Sequence, residues 1–396
     1  MIKMKDINFK NRKVLIRVDF NVPLDSKLKV SDDTRILASK PTIKKILDDG
    51  GSCILMSHLG RPKANEKEFS MFNILYKIEE IFERNVIFSN DCIGWRAKEL
   101  SQGLKPGEIL LLENLRYYQE EINGNYSFAK KLASLGDFYI NDAFGTAHRA
   151  HASTSVIAQF FPKAKCFGYL LSKEIKAIGK IMESGEKPIV AILGGAKVSS
   201  KIKVILNIID MVDHVIIGGG MAYTFIKALG GDIGDSIFEP DKEDMALSII
   251  DLAKEKKVKI HLPKDVIIAD RLDNSANIKA SDSFSIPKNW QGLDCGPKSS
   301  IVFNDIIQDC KTILWNGPLG VFELSRFSEG TKALGRSVVN ATSNGAFSLV
   351  GGGDSVAAVK MFNFESGVSY VSTGGGAMLE SLEGKSLPGI RAINMR

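Results

Sequence analysis

The sequence predicts an α/β protein of two domains, each a parallel sheet with helices on both faces. Three observations carry this. Short apolar runs rich in Val, Ile, Leu and Phe recur along the chain, separated by helix-period segments of roughly ten to fifteen residues. The length of 396 residues exceeds what one ordinary domain needs. The alternation also breaks at Leu170–Gly185, a charged amphipathic stretch (Leu171, Ile175, Ile178, Ile181, Met182) that runs into Glu186-Lys187-Pro188 and reads as a helical connector.

The strands expected in the first half are Val14–Phe20, Ser52–Ser57, Val86–Phe88, Ile109–Glu113 and Phe138–Asn141. Those of the second half are Pro188–Leu193, His214–Ile217, Lys259–Leu262, Thr312–Trp315, Phe347–Val350 and Tyr370–Ser372. Amphipathic stretches such as Ser127–Leu135, Lys201–Met211, Asp241–Lys256 and Ser328–Ala341 lie between them. Strands alternating with helices imply parallel sheets covered on both faces. Pro41, inside Thr34–Leu47, is expected in the first turn of a second short helix, because proline in a helix interior loses a hydrogen bond.

A hydrophobic share of 44% and a charged share of 25% exclude a disordered or fibrous class. Met1–Asp6 carries no apolar core of signal-peptide length, and no stretch is long and apolar enough to span a bilayer, so a cytosolic location without a membrane partner is expected. Cys53, Cys92, Cys166, Cys295 and Cys310 are scattered and odd in number, which argues against a disulfide framework or a zinc site and for core thiols. The net charge of +6 is modest, and no Lys/Arg run carries interleaved aromatics, so no nucleic-acid partner is expected.

The chemistry-bearing clusters almost all follow a strand, where open parallel sheets form their ligand crevices. In the first half these are Asp19 and Asn21, Ser57–Pro62, Arg116, and Asp142–His151. Arg35, His58, Arg61, Arg116 and Arg149 are cations there; each alone could be a solvated surface residue, but together they suit a ligand with several anionic groups. Asp19 and Asn21 either hold hydroxyls or make the turn before Pro23. His148 and His151 form a weak metal pair, and a phosphate-facing or structural role suits them better.

The second half offers glycines instead: Gly194–Lys197, Gly218–Gly220, Gly351–Asp354 and Gly374–Gly376. Gly-rich turns before helices let backbone N–H groups approach phosphate. Asp354, at a helix start, suits either Mg²⁺ or an N-cap, and the two are compatible. No Walker A loop is present; Gly384-Lys385-Ser386 has Leu379 where the first Gly belongs. The Gly clusters contain no G-x-G-x-x-G, which weighs against a dehydrogenase, and the protein-kinase motifs are missing. A phosphoryl acceptor that is a carboxylate, with a pKa of about 4, needs no general base. Positioning and charge neutralisation would then suffice.

Taken together, these clusters resemble phosphoglycerate kinase along nearly the whole chain. The resemblance rests on Arg17-Val-Asp-Phe-Asn-Val-Pro23, Asp32-Asp-Thr-Arg35, Ser57-His-Leu-Gly-Arg-Pro62, Glu113-Asn-Leu-Arg116 and Asn141-Asp-Ala-Phe-Gly-Thr-Ala-His-Arg-Ala-His151. It continues in Gly194-Gly-Ala-Lys-Val198, Trp315-Asn-Gly-Pro-Leu-Gly-Val-Phe-Glu323, Gly351-Gly-Gly-Asp354 and Ser372-Thr-Gly-Gly-Gly-Ala377. It implies two Rossmann-like domains: residues 1–170 with the returning tail 377–396 for 3-phosphoglycerate, a hinge helix at 171–185, and residues 186–376 for MgADP or MgATP. A monomer that closes about its hinge is implied.

By the same resemblance Asp19, Asn21, Arg35, His58, Leu59, Gly60, Arg61, Arg116 and Arg149 would bind 3-phosphoglycerate or 1,3-bisphosphoglycerate. Lys197 would accompany the phosphoryl group, with Arg35 neutralising the acyl oxygens and Gly352, Gly353 and Gly375 donating N–H groups. Gly195, Lys201, Gly218, Asn316, Glu323 and Ser355 would meet the nucleotide, and Asp354 its Mg²⁺. Ser200 stands where many family members have Asp, and Ser355 where many have Thr. A nucleotide sensor that had lost its chemistry would be expected to lack Lys197 or Arg35, and both are present.

Overall fold

The apolar runs pair into two parallel sheets of six strands each in the computed structural model, which describes residues 2–395. The chain divides into two compact units, Met1–Ile175 with Ser386–Arg396, and Lys176–Lys385. The first unit holds β1 (Lys13–Arg17), β2 (Ser52–Met56), β3 (Val86–Ser89), β4 (Ile109–Leu112), β5 (Phe138–Asn141) and β6 (Lys165–Phe167). Their order is β3-β4-β2-β1-β5-β6, all parallel. β2 and β4 are buried along their whole length, as strands covered on both faces must be. Val14, Ile16, Leu55 and Leu111 of the sheet share one core with Ile36 and Ile43 of helix Thr34–Asp48 and Ile74 and Ile78 of helix Phe72–Phe82.

In the second unit the main sheet uses β7 (Ile189–Leu193) and β8 (His214–Ile217), then β10 (Lys259–His261), β15 (Thr312–Asn316), β16 (Phe347–Val350) and β17 (Tyr370–Val371). The order is β10-β8-β7-β15-β16-β17, again parallel. Two small additions lie beside it. β11 (Asp265–Ala269) pairs antiparallel with β12 (Ile278–Asp282) and β14 (Gln291–Cys295), and β9 (Asp232–Ile233) pairs with β13 (Ser285–Ile286). Val190, Ile192, Trp315 and Val350 pack against Phe303 and Leu334 from the helices Pro297–Asp309 and Glu329–Ser343. All five cysteines are free and buried.

Four readings from sequence are corrected. β1 stops at Arg17; Val18 N still donates to Met56 O at 3.0 Å, but Phe20 N turns to Ser57 Oγ at 2.9 Å. Pro41 lies inside one continuous helix, Thr34–Asp48. The bond it removes would have ended on the carbonyl of Leu37, and both residues are exposed, so the loss falls on the solvent face while Ile36, Ile43 and Ile46 stay buried. The strand β6 and the small antiparallel sheet were not anticipated. Finally, residues 377–385 pack in the second unit. Helix Gly376–Leu382 buries Ala377, Met378 and Leu382, and Asn207 Nδ2 donates to Leu382 O at 2.7 Å. The return to the first unit begins at Ser386, where Gly389 N donates to Ala147 O at 2.8 Å and Lys165 Nζ to Ala392 O at 2.9 Å.

The helix Tyr169–Met182 starts from a buried anchor in the first unit. Tyr169 N donates to Thr42 Oγ1 at 2.9 Å and Leu171 N to Asp142 Oδ1 at 3.1 Å. Burial raises the Asp142 carboxyl from 3.8 to about 7, with the Thr42 and backbone hydrogen bonds opposing. The folded chain therefore keeps a proton that the unfolded chain releases, and stability present below the unfolded pKa is lost as pH rises through the folded one. Asp142→Asn should make stability less pH-dependent between about pH 4 and pH 7, by up to about 1.4 kcal/mol per pH unit. Urea denaturation across that range reads the slope directly, and a slope equal to that of the unaltered protein would contradict the burial assigned to Asp142.

Candidate active site

Both sheets reverse strand order beside a central strand, β1 in the first unit and β7 in the second. At such a switch point the flanking loops part, leaving room for a ligand beyond the carboxyl ends. In the first unit the loop after β1 carries Asp19, whose buried carboxylate accepts from Arg35 Nη1 at 3.0 Å. Asp19 Oδ1 lies 3.9 Å from His58 Nδ1 and has no hydrogen-bond partner among the described residues. Arg35 Nη1 also donates to Asn21 O at 3.1 Å, and Asn21 Oδ1 accepts from Gly60 N at 2.7 Å.

The loop after β2 is held from the other side as well. Asn114 Nδ2 donates to Leu59 O at 2.8 Å, and Arg116 Nη1 to Gly60 O at 2.7 Å. Gly60 has φ +62°, and a Cβ there would lie 2.4 Å from the Phe69 ring, so only glycine fits. Arg61 and Arg149 are exposed. The cations are close enough to disfavour one another. Burial first, then Arg17 and Arg149, lower the Arg116 guanidinium to about 10, against the pull of Asp19. Burial and the charges of Arg17, Arg116 and Arg35 hold His58 well below the ordinary histidine range, so its ring is neutral. His151, buried 3.8 Å from Glu121 Oε1, is lowered to about 4, chiefly by burial and then by Arg17. No cluster of three metal-ligating side chains occurs among the described residues.

Arg17, Ser153 and Glu121 belong to this array and were not singled out from sequence. Arg17 is 1% exposed, with Nε donating to Ser153 Oγ at 2.8 Å and Nη1 to Val18 O. The sequence signals were an arginine closing the apolar run Val14-Leu15-Ile16 and its place at the head of the Arg17–Pro23 block.

In the second unit the ends of β7 and β15 touch through backbone. Gly194 N donates to Asn316 O at 3.1 Å and Gly195 N to Pro318 O at 3.2 Å. A Cβ on Gly194 would sit 2.0 Å from Pro318 O, so the close approach requires glycine. Gly218, after β8, is buried against Leu319. Asn316 is fully buried; its Oδ1 accepts from Lys201 Nζ and its Nδ2 donates to Gly351 O at 2.7 Å. Burial lowers the Lys201 ammonium, and the charge of Asp354 partly opposes this.

Gly352 adopts φ +95° before the helix Gly353–Met361, whose first turn carries exposed Asp354 and buried Ser355. The Ser355 hydroxyl accepts from Gly317 N at 2.5 Å and so braces the neighbouring turn. Gly375, with φ +46°, precedes helix Gly376–Leu382, and nothing lies within 4 Å of where its Cβ would be. Lys197 and Glu323 are exposed.

Two doubly wound parallel-sheet units, one presenting cations and the other glycine turns with a lysine and a carboxylate, define an enzyme class that handles two anionic substrates. Similarity to known proteins narrows this. The phosphoglycerate kinase family model matches residues 4–385. The phosphoglycerate kinase of Porphyromonas gingivalis is 50% identical, with 98% of this chain and 99% of that protein covered. That of Clostridium botulinum is 46% identical over 99% and 98%. The solved phosphoglycerate kinase of Coxiella burnetii superposes with a TM-score of 0.91 at 40% identity, covering 99% of this chain and 98% of that one. The Pyrococcus horikoshii enzyme gives 0.85 at 30%, over 100% and 99%. The chain belongs to the phosphoglycerate kinase family.

Proposed function

We propose that the protein reversibly transfers a phosphoryl group between 1,3-bisphosphoglycerate and ADP, giving 3-phosphoglycerate and ATP, as a cytosolic monomer. The observation that carries this reading is the crevice after β1, β2, β4 and β5. It joins several cations to one buried acceptor, Asp19 Oδ1, that no protein donor satisfies among the described residues. A phosphoglycerate has two anionic ends for the cations and a hydroxyl for that oxygen. Arg35, His58, Arg61, Arg116 and Arg149 then bind its anionic groups, and Leu59 and Gly60 shape the loop. Asn21, its oxygen taken by Gly60 N, contributes amide N–H groups.

In the ATP-consuming direction a carboxylate oxygen of 3-phosphoglycerate attacks the γ-phosphorus, and the bond to the ADP oxygen breaks. The attacking carboxylate is already ionised at neutral pH, so no proton is moved. Lys197 and Arg35 offset the charge that builds on the transferring group and the acyl oxygens, and Gly352, Gly353 and Gly375 offer N–H groups to it. Gly195, Gly218, Lys201, Asn316, Glu323 and Ser355 surround the nucleotide. Asp354 would hold Mg²⁺: its carboxylate is exposed at a helix start, and one carboxylate plus nucleotide phosphates is a ligand set this ion accepts. When bound, the ion neutralises phosphate charge.

Purified protein with Mg²⁺ should consume ATP only when 3-phosphoglycerate is present. A coupled assay showing equal ATP turnover with and without it would overturn the reading. Lys197→Ala should cut kcat by roughly 10³-fold or more, because its charge is met mainly in the transition state. Arg116→Ala should instead raise KM for phosphoglycerate. Steady-state kinetics separate the two, and a kcat loss under about tenfold for Lys197→Ala removes its assigned role.

The reacting atoms must come within about 3–3.5 Å, while the ligands are assigned to different compact units. Binding of both should therefore close the protein about the segment 171–185, with residues 1–170 carrying phosphoglycerate and 186–376 the nucleotide. Small-angle scattering should give its smallest radius of gyration with both ligands. An identical radius in the free, singly and doubly liganded forms would exclude closure.

A further inference from the structure

We infer that Arg17, Ser153 and Glu121 form a buried positioning array that holds His58 in its neutral Nε2–H tautomer, with that N–H offered to the anion crevice. A guanidinium carries donors and no acceptor. Arg17 Nη2 lies 3.2 Å from His58 Nδ1, so Nδ1 must accept, and the single proton of the neutral ring sits on Nε2. The polarity is set along the rest of the chain in the same way. Ser153 Oγ accepts from Arg17 Nε at 2.8 Å, so its own proton goes to Glu121 Oε1 at 2.6 Å. Ser153 N adds a second donor to that carboxylate at 2.8 Å. Nothing in this run of bonds can reverse while Arg17 stays charged.

Arg17 and Glu121 are 1% and 0% exposed, so neither guanidinium nor carboxylate is placed to meet a ligand; they act through the ring. The array also has an opponent. Asp19 Oδ1, 3.9 Å from His58 Nδ1, would draw a proton onto that nitrogen if Arg17 did not occupy it. The other groups facing the ring, the cations Arg116 and Arg35 and then His151, all disfavour an imidazolium. The ring therefore serves the crevice as a hydrogen-bond donor of fixed direction and no charge. Asp19 keeps Oδ1 free for a ligand hydroxyl.

The kinetic arm of the test rests on the proposed phosphoglycerate site, whereas the spectroscopic arm does not. Protein labelled with ¹⁵N-histidine contains five such rings, and His58 is identified by its loss in His58→Gln. Long-range ¹H–¹⁵N correlation near neutral pH should show His58 with Nδ1 bare and Nε2 protonated. An Nδ1–H or doubly protonated ring overturns the inference. Ser153→Ala keeps the backbone donor to Glu121 but removes the hydroxyl beneath Arg17. It should shift His58 toward Nδ1–H or imidazolium and raise KM for 3-phosphoglycerate roughly tenfold, with KM for ATP unchanged. Lower thermal stability with an unaltered His58 pattern and unaltered KM would mean the array is only structural, and would also overturn the inference. If the unaltered protein turns over no phosphoglycerate, the proposed function falls, while the nitrogen pattern still decides the tautomer.

Discussion

A guanidinium that cannot reach water governs the first unit. Removing one partner from a buried charge costs about 3–5 kcal/mol, so Arg17 constrains whatever satisfies it. Its partners come from three strand-end segments: Val18 O just past β1, His58 after β2 and Ser153 beyond β5. One side chain can gather all three only from the central strand, which lies between β2 and β5. Strand order and site geometry are therefore one constraint. Behind it Glu121 accepts from Ser153; burial raises its carboxyl, and the charge of Arg17 and the two Ser153 hydrogen bonds oppose this.

The second unit reaches a comparable precision with backbone instead. Turns after β7 and β15 touch closely enough that a side-chain carbon at Gly194 would overlap Pro318 O. Asn316 then carries order outward, taking Lys201 with one end of its amide and Gly351 with the other. Backbone N–H groups give partial charge that suits a phosphate chain arriving and leaving repeatedly. Fixed guanidinium forks suit a small ligand whose anionic groups sit at set spacing. The contrast between the two crevices is the one the proposed division of ligands calls for.

Much of this was legible because parallel sheets write themselves as apolar runs. Phe138–Asn141, His214–Ile217 and Phe347–Val350 have the bounds their sequence suggests. β6 left no such trace: it has three residues and begins with Lys165, whose ammonium is satisfied by Ala158 O and by Ala392 O, more than two hundred positions away. β12 is mostly exposed, so it lacks the apolar run altogether. Pro41 misled because its cost depends on whether the orphaned carbonyl meets water, which sequence does not state. Gly60 was visible as a motif residue, but the Phe69 ring that requires it was not. Arg17 lay within the expected strand Val14–Phe20 and was not among the cations assigned to the crevice; its burial could be known only once β1 was placed between its neighbours.

The loop that carries Lys197 shows how an uncharged turn can be braced by a carboxylate from elsewhere. Ser200 gives the turn no carboxylate of its own, and its hydroxyl donates to Lys197 O at 2.8 Å. Its neighbour Ser199, however, gives both its N–H and its hydroxyl to the Glu239 carboxylate, at 2.9 and 2.6 Å. Those bonds, with the charge of Lys197, hold Glu239 below the usual carboxylate range despite the penalty of its partial burial. An anion therefore braces the Val198–Ser200 turn and lies near the lysine, arriving from the segment before Pro240. Lys197 itself stays exposed and makes no ion pair among the described residues, as the role proposed for it requires. A carboxylate held by serine rather than by the lysine keeps the charge nearby without immobilising the lysine side chain.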